Sequence, residues 1–231
     1  MKNKFTAFVC LTASILLLTL SFTLSACTAK PDYLSYISEL RKDLFVGEQD
    51  NFCVTVYSGS KEYPPAFDGI KKETRLVLTF KITQKEEVGE QLTLTFKLGD
   101  KEYTCQPKFS PVKSTLSCDV EVASLPEKTL DVQISYGEDC TVTVNTVSKL
   151  KENTVSYVDA LNKAVEKASS FLKEHTKNGV LNAEIVIRLL CENDVNYYYV
   201  GFICEEGLKI AYLIKGETGE IIAEKNSPTK K

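Results

Sequence analysis

The chain has 231 residues, 28 lysines and arginines against 31 aspartates and glutamates, and a formal charge of −3 at pH 7. No basic stripe interrupts this mild acidity, so nucleic acid finds no electrostatic footprint and adhesion to anionic lipid by charge is disfavoured. A single histidine and no tryptophan leave little material for Ser-His-Asp chemistry or for stacking sugars.

Lys2 and Lys4 open the chain, and an uncharged run centred on Ile15-Leu16-Leu17-Leu18 extends to Ala26. Positive charge, then an apolar stretch, then small residues is the order of a secretory signal, although the run is long enough for a membrane helix. It ends in Leu24-Ser25-Ala26-Cys27. This motif resembles the lipobox of bacterial lipoproteins, in which the cysteine is diacylglyceryl-modified and the chain is cut just before it. The resemblance implies a signal peptide over 1–26, a lipid on Cys27, and a mature chain held on the extracytoplasmic side of the cell membrane. An uncleaved anchor would export the rest equally. Each buried methylene contributes about 0.8 kcal/mol and one chain holds only marginally, so two acyl chains make retention durable. Residues 27–38 are expected as anchor and polar tether. The two lysines lost with residues 1–26 take the formal charge to −5.

Residues 39–148 are read as β-rich. Leu76-Val77-Leu78-Thr79-Phe80-Lys81-Ile82 and Leu92-Thr93-Leu94-Thr95-Phe96-Lys97-Leu98 alternate with period two, the mark of half-buried strands. Further strands are expected at 52–58, 101–107, 115–122, 129–136 and 140–147. Seven short strands separated by turns predict an antiparallel β-sandwich of immunoglobulin-like architecture. Gly99-Asp100 is a two-residue hairpin turn that sets Phe96 opposite Tyr103 and Leu94 opposite Cys105. Folding the chain at Ser110-Pro111-Val112-Lys113 sets Phe109 opposite Ser114 and Cys105 opposite Cys118, a separation suited to a disulfide; two buried thiols are the alternative. Tyr63-Pro64-Pro65-Ala66-Phe67-Asp68-Gly69 reads as an exposed loop or a core-capping connection.

From Ser156 the period becomes helical. Val158, Leu161, Val165, Ala168 and Leu172 predict one helix of about 20 residues with a single apolar stripe, capped by Ser156 with Asp159 and stopped by Asn178-Gly179. Four strands at 182–192, 196–204, 208–215 and 220–224 follow as a meander. Tight turns place Ile185, Ile187, Leu189, Tyr198, Val200, Phe202, Ile210, Tyr212, Ile214 and Ile221 on one face, where the helix packs. Cys191 and Cys204 fall at opposite ends of the first hairpin. The other face carries Val186, Leu190, Tyr197, Tyr199, Ile203, Ala211, Leu213 and Ile222, more apolar than an open sheet face should be. It is expected to be covered by the β-rich half, by a second copy or by a partner protein. Residues 153–226 would form this unit and 227–231 a disordered tail. The helix-then-meander order with Thr218-Gly219-Glu220 resembles PepSY or cystatin-like α+β modules of exported bacterial proteins; the resemblance implies a non-catalytic, inhibitory or protein-binding role.

No catalytic residue, metal ligand or cofactor site is expected. His175 reads as a surface residue favoured by a helix C-terminus. Gly216-Glu217-Thr218-Gly219 lacks the lysine and spacing of a phosphate loop, and Glu205-Glu206 as strand neighbours point apart. The expectation is a non-enzymatic lipid-anchored envelope protein that binds another protein or an envelope component, with Tyr197, Tyr199 and Leu213 as its contact residues. The alternative is an exported solute-binding lipoprotein for a small ligand, which needs a deep cleft between two lobes.

Overall fold

The computed structural model describes residues 30–64, 70–86, 91–111, 115–204, 207 and 209–227. In chain order the strands are β1 (Ile37–Gln49), β2 (Phe52–Glu62), β3 (Thr74–Gln84), β4 (Leu92–Leu98), β5 (Lys101–Cys105), β6 (Lys108–Ser110), β7 (Thr115–Glu121), β8 (Thr129–Tyr136) and β9 (Cys140–Ser148). Helices α1 (Tyr157–Lys167) and α2 (Ser169–Glu174) come next. Then follow β10 (Thr176–Lys177), β11 (Val180–Leu181), β12 (Ala183–Glu192), β13 (Val195–Cys204), β14 (Lys209–Lys215) and β15 (Ile221–Asn226).

β1 organises the rest. Its sequence, ISELRKDLFVGEQ, mixes charge and bulk without a two-residue rhythm, so it carries no local strand signal. Its neighbours impose the conformation. Along one edge β2 runs antiparallel to it from Gln49↔Phe52 to Glu39↔Lys61. Along the other edge β1 changes partner midway. Ile37 to Arg41 pair in parallel with β12, whereas Phe45 and Val46 pair antiparallel with β9. A bulge between Arg41 and Asp43 marks the changeover. Ahead of β1, a 3-10 turn at Tyr33–Tyr36 is capped by Asp32, and the Tyr36 hydroxyl accepts from the Leu181 amide at 3.2 Å.

Among the described residues the result is one 13-stranded sheet, ordered β15-β14-β13-β12-β1-β2-β3-β7-β6, with β9, β8, β4 and β5 branching from β1. This corrects the expected immunoglobulin-like sandwich followed by one long helix on a separate four-stranded sheet. The shared strand makes the two parts one curled sheet, and the single helix is two short ones. The helical break falls at Ala168, whose ψ is 10°. Ser169 and Ser170 follow it, and serine competes with the helical backbone for hydrogen bonds. Asn178-Gly179 does not stop a helix. With φ of 52° and 79° these residues turn the small β10–β11 hairpin.

Where the sheet folds back on itself it encloses Phe45, Phe52, Val56, Phe80, Phe96, Val132, Ile134 and Val144. Phe80 and Phe96 are 4.9 Å apart by ring centroid, and Phe96 stacks on Tyr103 at 5.3 Å. The β4–β5 hairpin has the expected register, with Phe96↔Tyr103 and Leu94↔Cys105. A second core lies under the helices. Leu161, Ala164, Ala168 and Leu172 cover Ile185, Ile187, Tyr198, Val200, Phe202, Tyr212 and Ile214, the face that the periodicity had assigned to the helix. The Ser156 side chain caps α1 by accepting from the Asp159 amide.

The segment 149–155, between β9 and α1, is tied to β1, to β13 and to the turn after β14. The Lys149 amide donates to the Leu44 carbonyl at 2.7 Å and the Val155 amide to Gly216 at 2.7 Å. Asn196, fully buried, donates from its amide to the Lys149 carbonyl at 3.0 Å. Its carboxamide oxygen accepts from the Lys151 amide at 3.0 Å and the Thr154 hydroxyl at 2.8 Å. A buried amide bonded through both its nitrogen and its oxygen holds a connection that has no regular structure of its own.

Gly59 is the point of closest approach. A Cβ there would sit 1.7 Å from the Leu40 carbonyl oxygen of β1, next to the bulge. Backbone cannot yield as a flexible side chain does, so Gly59→Ala should destabilise the protein by about 3 kcal/mol. Urea unfolding followed by circular dichroism measures this; an unchanged midpoint would show that β1 and β2 do not approach so closely.

Candidate protein-binding face

Alternation along β12, β13 and β14 sends one set of side chains to the helices and the other to the opposite face. On that opposite face Arg188, Tyr199 and Leu213 are cross-strand neighbours, and Tyr197 lies between Leu190 and Lys215. Tyr197, Tyr199 and Leu213, the residues expected to contact a partner, therefore lie together. All three are half-buried, while Val186 and Ala211 beside them are buried. Tyr199 lies along its own strand, with its ring and hydroxyl 3.1 Å from where a Cβ of Gly201 would be. Any side chain at Gly201 would push this ring away.

The face continues onto β1 through charge. Arg188 donates from Nε to Oε1 of Glu39 at 3.1 Å and from Nη2 to Oε2 at 2.6 Å. Arg41 donates from Nε to the same Oε1 at 2.6 Å. The side chains of Glu39, Arg41 and Arg188 are 6, 18 and 30 % exposed. A buried carboxylate is costly unless its lone pairs are taken by charged donors, and here both oxygens are. Burial alone would raise the Glu39 carboxyl. The hydrogen bond from Arg188, the charges of Arg41 and Arg188 and the hydrogen bond from Arg41 outweigh it, and the carboxyl is held below its ordinary range. Arg188 lies 5.8 Å from the Tyr199 ring centroid. Arg41 stands 4.4 Å over the ring of Tyr57, and Lys81 Nζ is 4.8 Å from that ring and 3.4 Å from its hydroxyl.

Near the bulge, Asp43 accepts from the Ser148 hydroxyl at 2.8 Å and from the Leu44 amide at 2.6 Å. Burial outweighs these bonds and pushes its carboxyl up. Tyr198 is pushed up to about 12 by burial and by the charge of Asp43. These groups belong to the junction of the cores.

Cys27 and the lipobox lie outside the described residues, as do Pro65 to Gly69 of the expected loop; Tyr63 is exposed, with Arg75 at 4.3 Å from its ring. Cys105 and Cys118 lie at disulfide-bonding distance, with Cα atoms 6.8 Å apart. The route differs from the expected hairpin. β6 pairs with β7 as Phe109↔Leu116 rather than Phe109↔Ser114, Cys105 sits on the β4–β5 branch, and Cys118 lies opposite Phe80 of β3. Gln106-Pro107 carry the chain across between these parts. Cys191 and Cys204 are at opposite ends of the β12–β13 hairpin. His175 is half-buried against Phe171, with Nδ1 2.8 Å from the Phe171 carbonyl, which can only accept, so Nδ1 carries the proton. Among the described residues no three His, Cys, Asp or Glu side chains are placed to hold a metal ion, and no helix is long and apolar enough to cross a membrane.

No protein-family model, curated protein or solved structure matches the chain. Sequence reasoning missed Glu39, Arg41, Tyr57 and Lys81. The i, i+2 spacing of Glu39 and Arg41 places them on one side only once β1 is known to be a strand. Tyr57 and Lys81 were visible merely as polar positions in alternating strands.

The Glu39 cluster has a consequence in acid. Its folded-state pKa lies below the ordinary value of 4.5, so its stabilisation is complete above that value and is lost as pH falls through the folded pKa. Asp43 has the opposite sign: raised above its ordinary 3.8, it costs stability as pH rises through the interval above that value. Glu39→Gln should cost about 3 kcal/mol at neutral pH by leaving two arginines on a neutral amide. It should also flatten the stability–pH curve below about pH 4.5. Urea midpoints across the acid range measure both, and a variant as acid-sensitive as the parent contradicts the assignment.

Proposed function

We propose that the protein is a lipid-anchored component of the cell envelope, held by an acylated Cys27 on the extracytoplasmic side of the membrane, and that it acts by binding another protein rather than by catalysis. One observation carries the reading. Tyr197, Tyr199 and Leu213 form a half-buried aromatic and apolar platform beside Arg188. Tyrosine and arginine around a desolvated centre are the composition of interface hot spots. The lipobox at the end of an apolar run supports the anchor. Export also favours oxidation of Cys105 and Cys118 to a disulfide, which would join the two parts of the curled sheet at their open edge.

The binding reading is tested by pull-down from membranes with the full-length protein. Tyr199→Asp and Leu213→Asp should each lower partner capture at least about tenfold, as hot-spot truncations do, while circular dichroism stays that of the parent. Capture unaffected by both, with the fold retained, removes the face from consideration.

The anchor and the bridge are tested together by mass spectrometry of protein extracted from membranes without reductant. The expected products are an N-terminal peptide beginning at a lipid-modified Cys27 and a linked pair of peptides containing Cys105 and Cys118. An unmodified Cys27 within a longer chain refutes the anchor, and separate thiol peptides refute the bridge.

A further inference from the structure

The geometry points to a docking point for a carboxylate of the partner protein, formed by Arg41 and Lys81 over the ring of Tyr57; this rests on the binding face proposed above. Glu39 is taken by Arg188 through both of its oxygens, at 3.1 and 2.6 Å. Arg41 adds only its Nε to Oε1, so it brings a second positive charge to a carboxylate already engaged by one guanidinium. Lys81 contacts the hydroxyl and ring of Tyr57, both neutral. Two cations thus gather round one uncharged ring.

Lys61 and Arg75 on these strands each have a carboxylate of their own, whereas Arg41 shares Glu39 with Arg188. Lys61 is paired with Asp119 at 2.8 Å, Arg75 with Glu121 at 2.9 Å, and Lys85 with Glu48. Arg41 and Lys81 stand out within a chain whose overall charge is negative. The Arg41 side chain is 18 % exposed, so its field is screened less than that of a fully solvated guanidinium. Its Nη atoms offer the fork that matches a carboxylate.

The neighbouring surface selects the source of the acid. From Arg41 the contacts run through Glu39 and Arg188 to Tyr199, and Tyr199 is paired with Leu213. An aspartate or glutamate within a peptide whose other side chains are apolar matches a cationic point beside an aromatic platform. A strongly hydrated phosphate chain would leave the platform unused.

The test uses the full-length protein in neutral detergent micelles and a fluorescent ten-residue peptide of alternating glutamate and leucine, with glutamine replacing glutamate in the control. Anisotropy should show the glutamate peptide binding at least about tenfold more tightly at low salt, with the difference closing at about 0.5 M salt. Lys81→Glu should lower glutamate-peptide affinity about tenfold or more, and Lys81→Arg should preserve it. Equal binding of the two peptides, or binding indifferent to Lys81→Glu, overturns the proposal; the binding face itself survives in that case if Tyr199→Asp abolishes membrane capture. Displacement of the glutamate peptide by inorganic phosphate at matched charge also overturns it, in favour of a phosphate ligand. A glutamate peptide lost with Lys81→Glu, alongside membrane capture indifferent to Tyr199→Asp, upholds the carboxylate point and removes the face.

Discussion

The changeover of partners along β1 is the constraint on which the fold depends. A strand has two hydrogen-bonding edges. β2 occupies one edge of β1 for most of its length, and the other is divided between β12 and β9. The division requires a bulge, which turns the strand and shifts its side chains. Around it gather Asp43, Ser148, the close approach at Gly59 and the ion cluster of Glu39. Both cores are therefore closed by the same thirteen residues, and neither can lose β1 without exposing a sheet edge and apolar surface.

The Glu39 cluster lies at the parallel pairing of β1 with β12, since Glu39 is in register with Val186 and Arg41 with Arg188. Nearly buried ion pairs contribute little net stability against a well-packed apolar alternative, but breaking them is costly, so their best attested role is to set register. Here a slip of β1 along β12 would separate Glu39 from Arg188 and leave charges without partners. Arg188 emerges beside the Tyr199 and Leu213 platform. One network thus fixes a strand and shapes the face that the strand adjoins.

What could be read from the sequence was local. The β4–β5 hairpin and the meander from β12 to β15 are held by period-two alternation and tight turns, and their pairing followed from those signals alone. Tyr197, Tyr199 and Leu213 could be placed on one face for the same reason. β1 was illegible because its pattern follows three environments in turn: a core side, an ion cluster and a bulge. Tertiary pairing overrode its local preference, as it commonly does in strands. The juxtaposition of Cys105 and Cys118 was anticipated through a hairpin register that the chain does not adopt, because Gln106-Pro107 cross between parts of the sheet whose proximity no local rule shows. The serine pair behind the helical break was present in the sequence, yet the apolar stripe runs on through it from Leu161 to Leu172, and periodicity cannot see an interruption that keeps its phase.

The central place of β1 also sets how the molecule bears mechanical load. A pull applied to the residues ahead of Ile37 enters at the end of a strand lying in the middle of the sheet, not at a peripheral one. Its antiparallel ladder with β2 is then strained along its length, many hydrogen bonds together, instead of being peeled rung by rung. Traction from that end should meet a stiff and abruptly yielding body, whereas traction on β15, an outer strand with one neighbour, should unravel it gradually.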